Sequence, residues 1–72
     1  MNGEKVIIVA NDTRQGLSVI DIQFYNISGR ISGPPPHRLI RNINALPLRD
    51  KERVRMIVAR SYGLPAKNVV FQ

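Results

Sequence analysis

The sequence predicts a small α+β domain. Three observations carry that prediction: a β-branched run at residues 5–10 (KVIIVA), a period-two stretch at residues 17–27, and an amphipathic segment at residues 50–62 followed by Gly63. A chain of 72 residues supports one domain, residues 1–72, and hides only about 60% of the surface its unfolded form exposes. Its core is small and must be built with few side chains.

Residues 5–10 read as a strand because β-branched side chains suit a pleated, half-buried surface. The turn-rich Asn11, Asp12, Thr13 and Gly16 then read as a loop. In residues 17–27, Ile20, Ile22 and Phe24 fall on one face and Val19, Asp21, Gln23 and Tyr25 on the other, the alternation of a half-buried strand. The two strands are expected to pair as an antiparallel hairpin. Residues 28–36 (SGRISGPPP) hold two Ser-Gly pairs and three consecutive prolines, which exclude sheet and helix interior and predict a loop ending in an extended piece.

Residues 37–46 place Leu39, Ile40, Ile43 and Leu46 at helical spacing after Pro36. They are read as a short helix, although Asn42 and Asn44 are weak helix formers. Residues 50–62 form the clearest element. Asp50 is a plausible N-cap, Val54, Ile57, Val58 and Ser61 or Tyr62 make one stripe, and Gly63 stops the helix ahead of Leu64 and Pro65. Residues 68–71 (NVVF) predict a last strand.

The order is β-β-α-α-β. A right-handed crossover through the long helix would return the last strand antiparallel to the first, giving a three-stranded antiparallel sheet of order 3-1-2 with one amphipathic helix on one face. The central strand is apolar on both sides, with Ile7 and Val9 pointing one way and Val6 and Ile8 the other. One helix covers one face. The second must be covered by the residues 37–46 segment, by another copy of the chain, or by a partner.

Charge is the other strong signal. Eight arginines and three lysines stand against five acids, a formal charge of +6, and four of the arginines lie between Arg49 and Arg60. On the long helix Arg49, Arg53, Met56 and Arg60 share a stripe beside Ile57, while Lys51 and Arg55 border the apolar face on its other side. With Arg38 and Arg41 nearby, these residues are the candidate binding set: Arg38, Arg41, Arg49, Arg53, Arg55, Arg60 and Met56. Arginine's planar fork suits phosphate and carboxylate, and methionine supplies an adaptable apolar contact. The bland alternative is a solvated face whose arginines lay their stems over the core edge.

Catalytic chemistry finds no support. Zero cysteines remove disulfides, thiolate zinc sites and cysteine nucleophiles together, and fit a reducing, cytoplasmic compartment. His37 is the only histidine and has no residue at ligand or general-base spacing. Gly29 and Gly33 match neither the dinucleotide fingerprint nor the P-loop. The prolines do not form a PxxP ligand, and the tripeptide of Asn26, Ile27 and Ser28 matches the glycosylation pattern only by chance. The carboxylates are scattered, so no enzyme, cofactor or metal is expected. Phe24, Tyr25, Tyr62 and Phe71 are the full aromatic set and are needed for the core, with Tyr25 the best candidate for exposure. The longest apolar run, residues 6–10, is far short of the roughly 20 residues of a membrane helix, and no secretory leader is evident.

Two functions follow as expectations. The first is a non-enzymatic basic binding protein, an adaptor or inhibitor that docks on a protein through a sheet face or edge, its arginines steering it to an acidic surface. A homodimer is one form of that docking. The alternative is a nucleic-acid-binding module contacting phosphates through the Arg-rich helix. Membrane binding is not expected, because the helix lacks bulky aromatics on its apolar face.

Overall fold

The computed structural model describes residues 4–27 and 32–72. In chain order the elements are β1 (Lys5–Thr13), β2 (Gly16–Tyr25), α1 (Pro36–Asn44), α2 (Lys51–Tyr62), a 3-10 turn (Ala66–Asn68) and β3 (Val69–Phe71). Of the loop expected at residues 28–36, positions 28–31 lie outside the described residues, and with them the readings attached to Ser28, Gly29 and Arg30. The remainder has no regular structure up to Pro36, which enters α1 at its first turn, where a missing N–H costs nothing.

The hairpin is longer than its apolar part. Asn11, Asp12 and Thr13, expected in a loop, continue the ladder opposite Ser18, Leu17 and Gly16. The chain reverses through Arg14 and Gln15. There the Thr13 hydroxyl accepts from the Gln15 N–H and donates to the Gly16 carbonyl. Gly16 is required twice over. Its φ is +106°, and a Cβ there would sit 2.6 Å from the Arg49 carbonyl oxygen.

The sheet has the order β2-β1-β3, with β1 central. It is mixed rather than antiparallel: β1 pairs antiparallel with β2 but parallel with β3. The reason is that two helices, not one, traverse the sheet between β2 and β3. The Asn44 end of α1 binds Val19, and Arg49 bridges to Gly16 beside the hairpin turn. From there α2 runs back until Tyr62 meets Phe24 edge-on, with ring centroids 5.1 Å apart. An up-and-down helix pair returns the chain to the end of the sheet from which it left, so β3 starts beside the first residues of β1.

Both helices lie on the same face of the sheet, a second difference from the one-helix layer expected. Leu39 and Ile43 of α1 and Val54, Val58, Ala59 and Tyr62 of α2 close over Val6, Ile8, Val19, Ile22 and Val69. Six of these residues, Val6, Ile8, Ile43, Val54, Val58 and Val69, are essentially removed from water, each contributing about 1.5–3 kcal/mol relative to exposure. The caps of α2 are as the sequence implies. The Asp50 carboxylate accepts from the Arg53 N–H at 2.8 Å, and Gly63 adopts a left-handed φ of 66°.

Strand β2 does not keep the simple alternation expected of it. A register shift between Val9 and Ala10 places Val9 opposite Asp21 and Ala10 opposite Val19, leaving Ile20 as the extra residue of a β-bulge. Val19 therefore joins the core while Ile20 is turned out to 54% exposure.

Candidate binding surfaces

The seven residues singled out for binding separate into two groups. Arg49 is buried, and its guanidinium is consumed by backbone: Nε donates to the Leu17 carbonyl, and Nη1 to the carbonyls of Asn44 and Leu46. Its own carbonyl accepts from the Leu17 N–H at 2.8 Å. Arg49 thus closes the α1–α2 connection and caps the free edge of β2 at Leu17. Next along that edge, the Asn44 side-chain amide accepts from the Val19 N–H and donates to the Val19 carbonyl, as a neighbouring strand would.

Arg55 serves the opposite edge. Its Nε donates to the Val69 carbonyl of β3 at 3.2 Å, its Nη1 pairs with Glu52 at 2.6 Å, and its guanidinium lies 5.6 Å from the Phe71 ring centroid. The ion pair is solvated and contributes little. The contact that matters structurally is with the edge carbonyl. Both edges of the sheet are therefore partly capped by arginines, a device that blunts strand addition.

Arg38, Arg41, Arg53 and Arg60 form the second group. All four are exposed on the outer side of the helical layer, and their side chains make no hydrogen bond or ion pair among the described residues. Met56, 40% exposed, lies between Arg53 and Arg60 on the outward stripe of α2. The acids nearest in sequence are engaged elsewhere, Asp50 as the helix cap and Glu52 with Arg55. The result is a cationic surface of uncommitted guanidiniums.

The opposite side of the molecule is apolar. Because α1 and α2 share one face of the sheet, the alternate residues of β1, Ile7 and Val9, have no element of the described chain over them. The ladder places Ile7 between Val70 of β3 and Gln23 of β2, Val9 beside Asp21, and Lys5 beside Tyr25. Ile20, Tyr25 and Val70 are exposed by 54%, 42% and 37%. Along β2 a polar rail borders the patch: the Tyr25 hydroxyl donates to the Gln23 side-chain carbonyl, and the Gln23 amide donates to the Asp21 carboxylate. The ammonium of Lys5 sits 5.9 Å from the Tyr25 ring centroid.

The two-sided apolar pattern of β1 marks the open face in the sequence, but nothing there marks Ile20 or Val70. The bulge that exposes Ile20 has no marker in the sequence, and Val70 becomes part of the patch only through the parallel pairing of β3.

Elsewhere the chemistry is sparse. His37 is exposed at the start of α1. A shallow groove between the hairpin turn and the α1–α2 connection is lined by Arg14, Gln15, Gly16, Leu48, Arg49 and Asp50, but Arg49 and Asp50 already hold the backbone there. Among the described residues no group of three His, Cys, Asp or Glu side chains gathers as a metal site, and no helix is long and apolar enough to cross a membrane. Burial raises the Tyr62 hydroxyl above its ordinary pKa; it donates to the Pro34 carbonyl at 2.8 Å, tying the end of α2 to the chain entering α1. No family model matches the chain, and neither a curated protein nor a solved structure is found to resemble it.

Proposed function

We propose that this chain is a non-enzymatic cytoplasmic binding protein, an adaptor or inhibitor that docks on another protein through the open face of its sheet. The observation that carries the reading is the apolar row of half-buried Ile7 and Val9 with exposed Val70, over which no element of the described residues lies, with Ile20 and Tyr25 beside it. Contiguous apolar surface rimmed by polar groups is characteristic of protein contacts. Docking by the face is favoured over docking by an edge, because Arg49, Asn44 and Arg55 already occupy edge groups of β2 and β3.

The exposed arginines enter this reading indirectly. They lie on the helical side of a molecule whose shortest dimension is 16 Å, about two Debye lengths at physiological salt. They do not rim the docking face. Their contribution to an encounter with an acidic partner is through the net charge of +6, which raises association rates more than affinity.

A second reading has its own support. Among the described residues Arg38, Arg41, Arg53 and Arg60 have no carboxylate partner, an arrangement suited to the phosphates of a nucleic acid. One capture experiment separates the two. Immobilised wild type, an Ile7→Lys/Val70→Lys variant and an Arg53→Glu/Arg60→Glu variant are exposed to nuclease-treated extract of the source cells. The docking reading expects the sheet-face variant alone to lose its bound protein. Loss confined to the arginine variant, with binding of labelled nucleic acid that falls steeply between about 50 and 200 mM salt, would replace it by the nucleic-acid reading.

A further inference from the structure

We infer that the occupant of the open sheet face is a second copy of this chain, packed face to face about a two-fold axis. The inference rests on the reading of that face as a docking surface and names its partner. Its basis is the distribution of charge and apolar area along β1 and β2. The cross-strand row Val70–Ile7–Gln23 lies midway between the row Lys5–Tyr25 and the row Val9–Asp21. Lys5 and Asp21 are the charged side chains of these rows, opposite in sign and on opposite sides of Ile7.

A two-fold axis lying in the interface along the Ile7 row reverses the strand direction of one copy relative to the other. Ile7 then meets Ile7 of the second copy, and the Lys5–Tyr25 row meets the Val9–Asp21 row. Each Lys5 is brought over Val9 of the other copy, offset from its Asp21 by one strand spacing of about 4.8 Å across a gap of about 10 Å between the sheets, a span that the lysine and aspartate side chains cover together. Two Lys5–Asp21 pairs form, with Ile7, Val9 and Val70 enclosed between them. An axis along β1 would instead stack Lys5 on Lys5 and carry each Asp21 to the β3 side of the other copy, away from its Lys5. The face is thus self-complementary in one orientation, as an isologous interface requires.

The size of the face sets the strength. β1 has nine residues, about 30 Å of strand at ~3.4 Å per residue, and β3 adds only three. Such an interface falls at or below the low end of specific complexes, about 1,200 Å² in total, and is therefore weak and concentration-dependent. Two protomers of charge +6 also repel each other, so added salt strengthens the dimer. Nucleic-acid binding has the opposite salt dependence.

Sedimentation equilibrium of the full chain from about 10 µM to 1 mM, at about 50 and 300 mM salt, tests this against the opposing salt trends of dimer and phosphate binding. The expected result is a monomer–dimer equilibrium that tightens with salt. Lys5→Asp and Asp21→Lys should each weaken it by about tenfold, their combination should restore it, and Ile7→Lys should leave a folded monomer throughout. A wild-type monomer at the highest concentration overturns the second-copy assignment, as does a dimer indifferent to Ile7→Lys or to the charge exchange. The capture experiment then places the failure. If Ile7→Lys/Val70→Lys still loses a bound protein, the docking face stands with a different occupant; if it loses nothing, the docking reading falls as well.

Discussion

The two faces of β1 carry the same kind of residue and meet opposite fates. Val6 and Ile8 are wholly buried beneath two helices, whereas Ile7 and Val9, one residue along in the same strand, face away from both. The chain path explains the asymmetry. The up-and-down helix pair that joins β2 to β3 sets both helices on one side of the sheet. Ile7 and Val9 take no part in the core that the helices close. A strand whose second face met only water would tolerate threonine or lysine at positions 7 and 9.

The sharpest way to break the comparison is to apply one substitution to each face. Ile8→Ala removes a buried side chain and should cost about 2–5 kcal/mol, much of the stability of so small a domain. Ile7→Ala should cost less than about 1 kcal/mol when measured by urea unfolding at low micromolar concentration, where the second copy has dissociated. Equal losses would mean that the sheet is covered on both sides in solution.

The arginines allow a parallel test. Arg49→Ala strips the Leu17, Asn44 and Leu46 carbonyls of their donor and should destabilise by about 2–3 kcal/mol. Arg53→Ala should stay within about 0.5 kcal/mol, as for an ordinary exposed position. Comparable costs would dissolve the division between structural and uncommitted guanidiniums.

The smallest effect concerns the covered side alone. Tyr62→Phe loses the hydrogen bond to Pro34, at about 1 kcal/mol. It should also change the alkaline limb of stability. Because burial raises the pKa of the folded phenol, the Tyr62 contribution is complete below pH ~10, the unfolded value, and is lost as pH climbs toward the folded value. Denaturant midpoints from pH 8 to 11 should fall less steeply in the phenylalanine variant; identical slopes would exclude Tyr62 as the source.

The sequence made some of this legible and concealed the rest for identifiable reasons. The caps of α2 were readable because Asp50 and Gly63 act locally, within one turn of the helix they bound. The direction of β3 was not, since it depends on counting α1 as a full traverse of the sheet, and a nine-residue segment containing two asparagines gives little sign of that. Alternation in β2 misled at Ile20 because a bulge inverts the facing of every residue beyond it. Arg49 and Arg53 look alike on a helical wheel. They differ because Arg49 precedes the N-cap, in a connection that passes over the edge of β2, and only the tertiary path distinguishes them.

On the proposal above, the open sheet face, and not the arginine-bearing helical face, is where one copy of this chain meets the second. Amide chemical shifts recorded across a dilution series from about 1 mM to 10 µM, spanning the weak-interface range, address it directly. Concentration-dependent shifts are expected at Lys5, Ile7, Val9, Ile20, Asp21, Gln23 and Val70, with Arg38, Arg41, Arg53 and Arg60 unmoved. Shifts confined to the helical arginines, or none at any concentration, would contradict it.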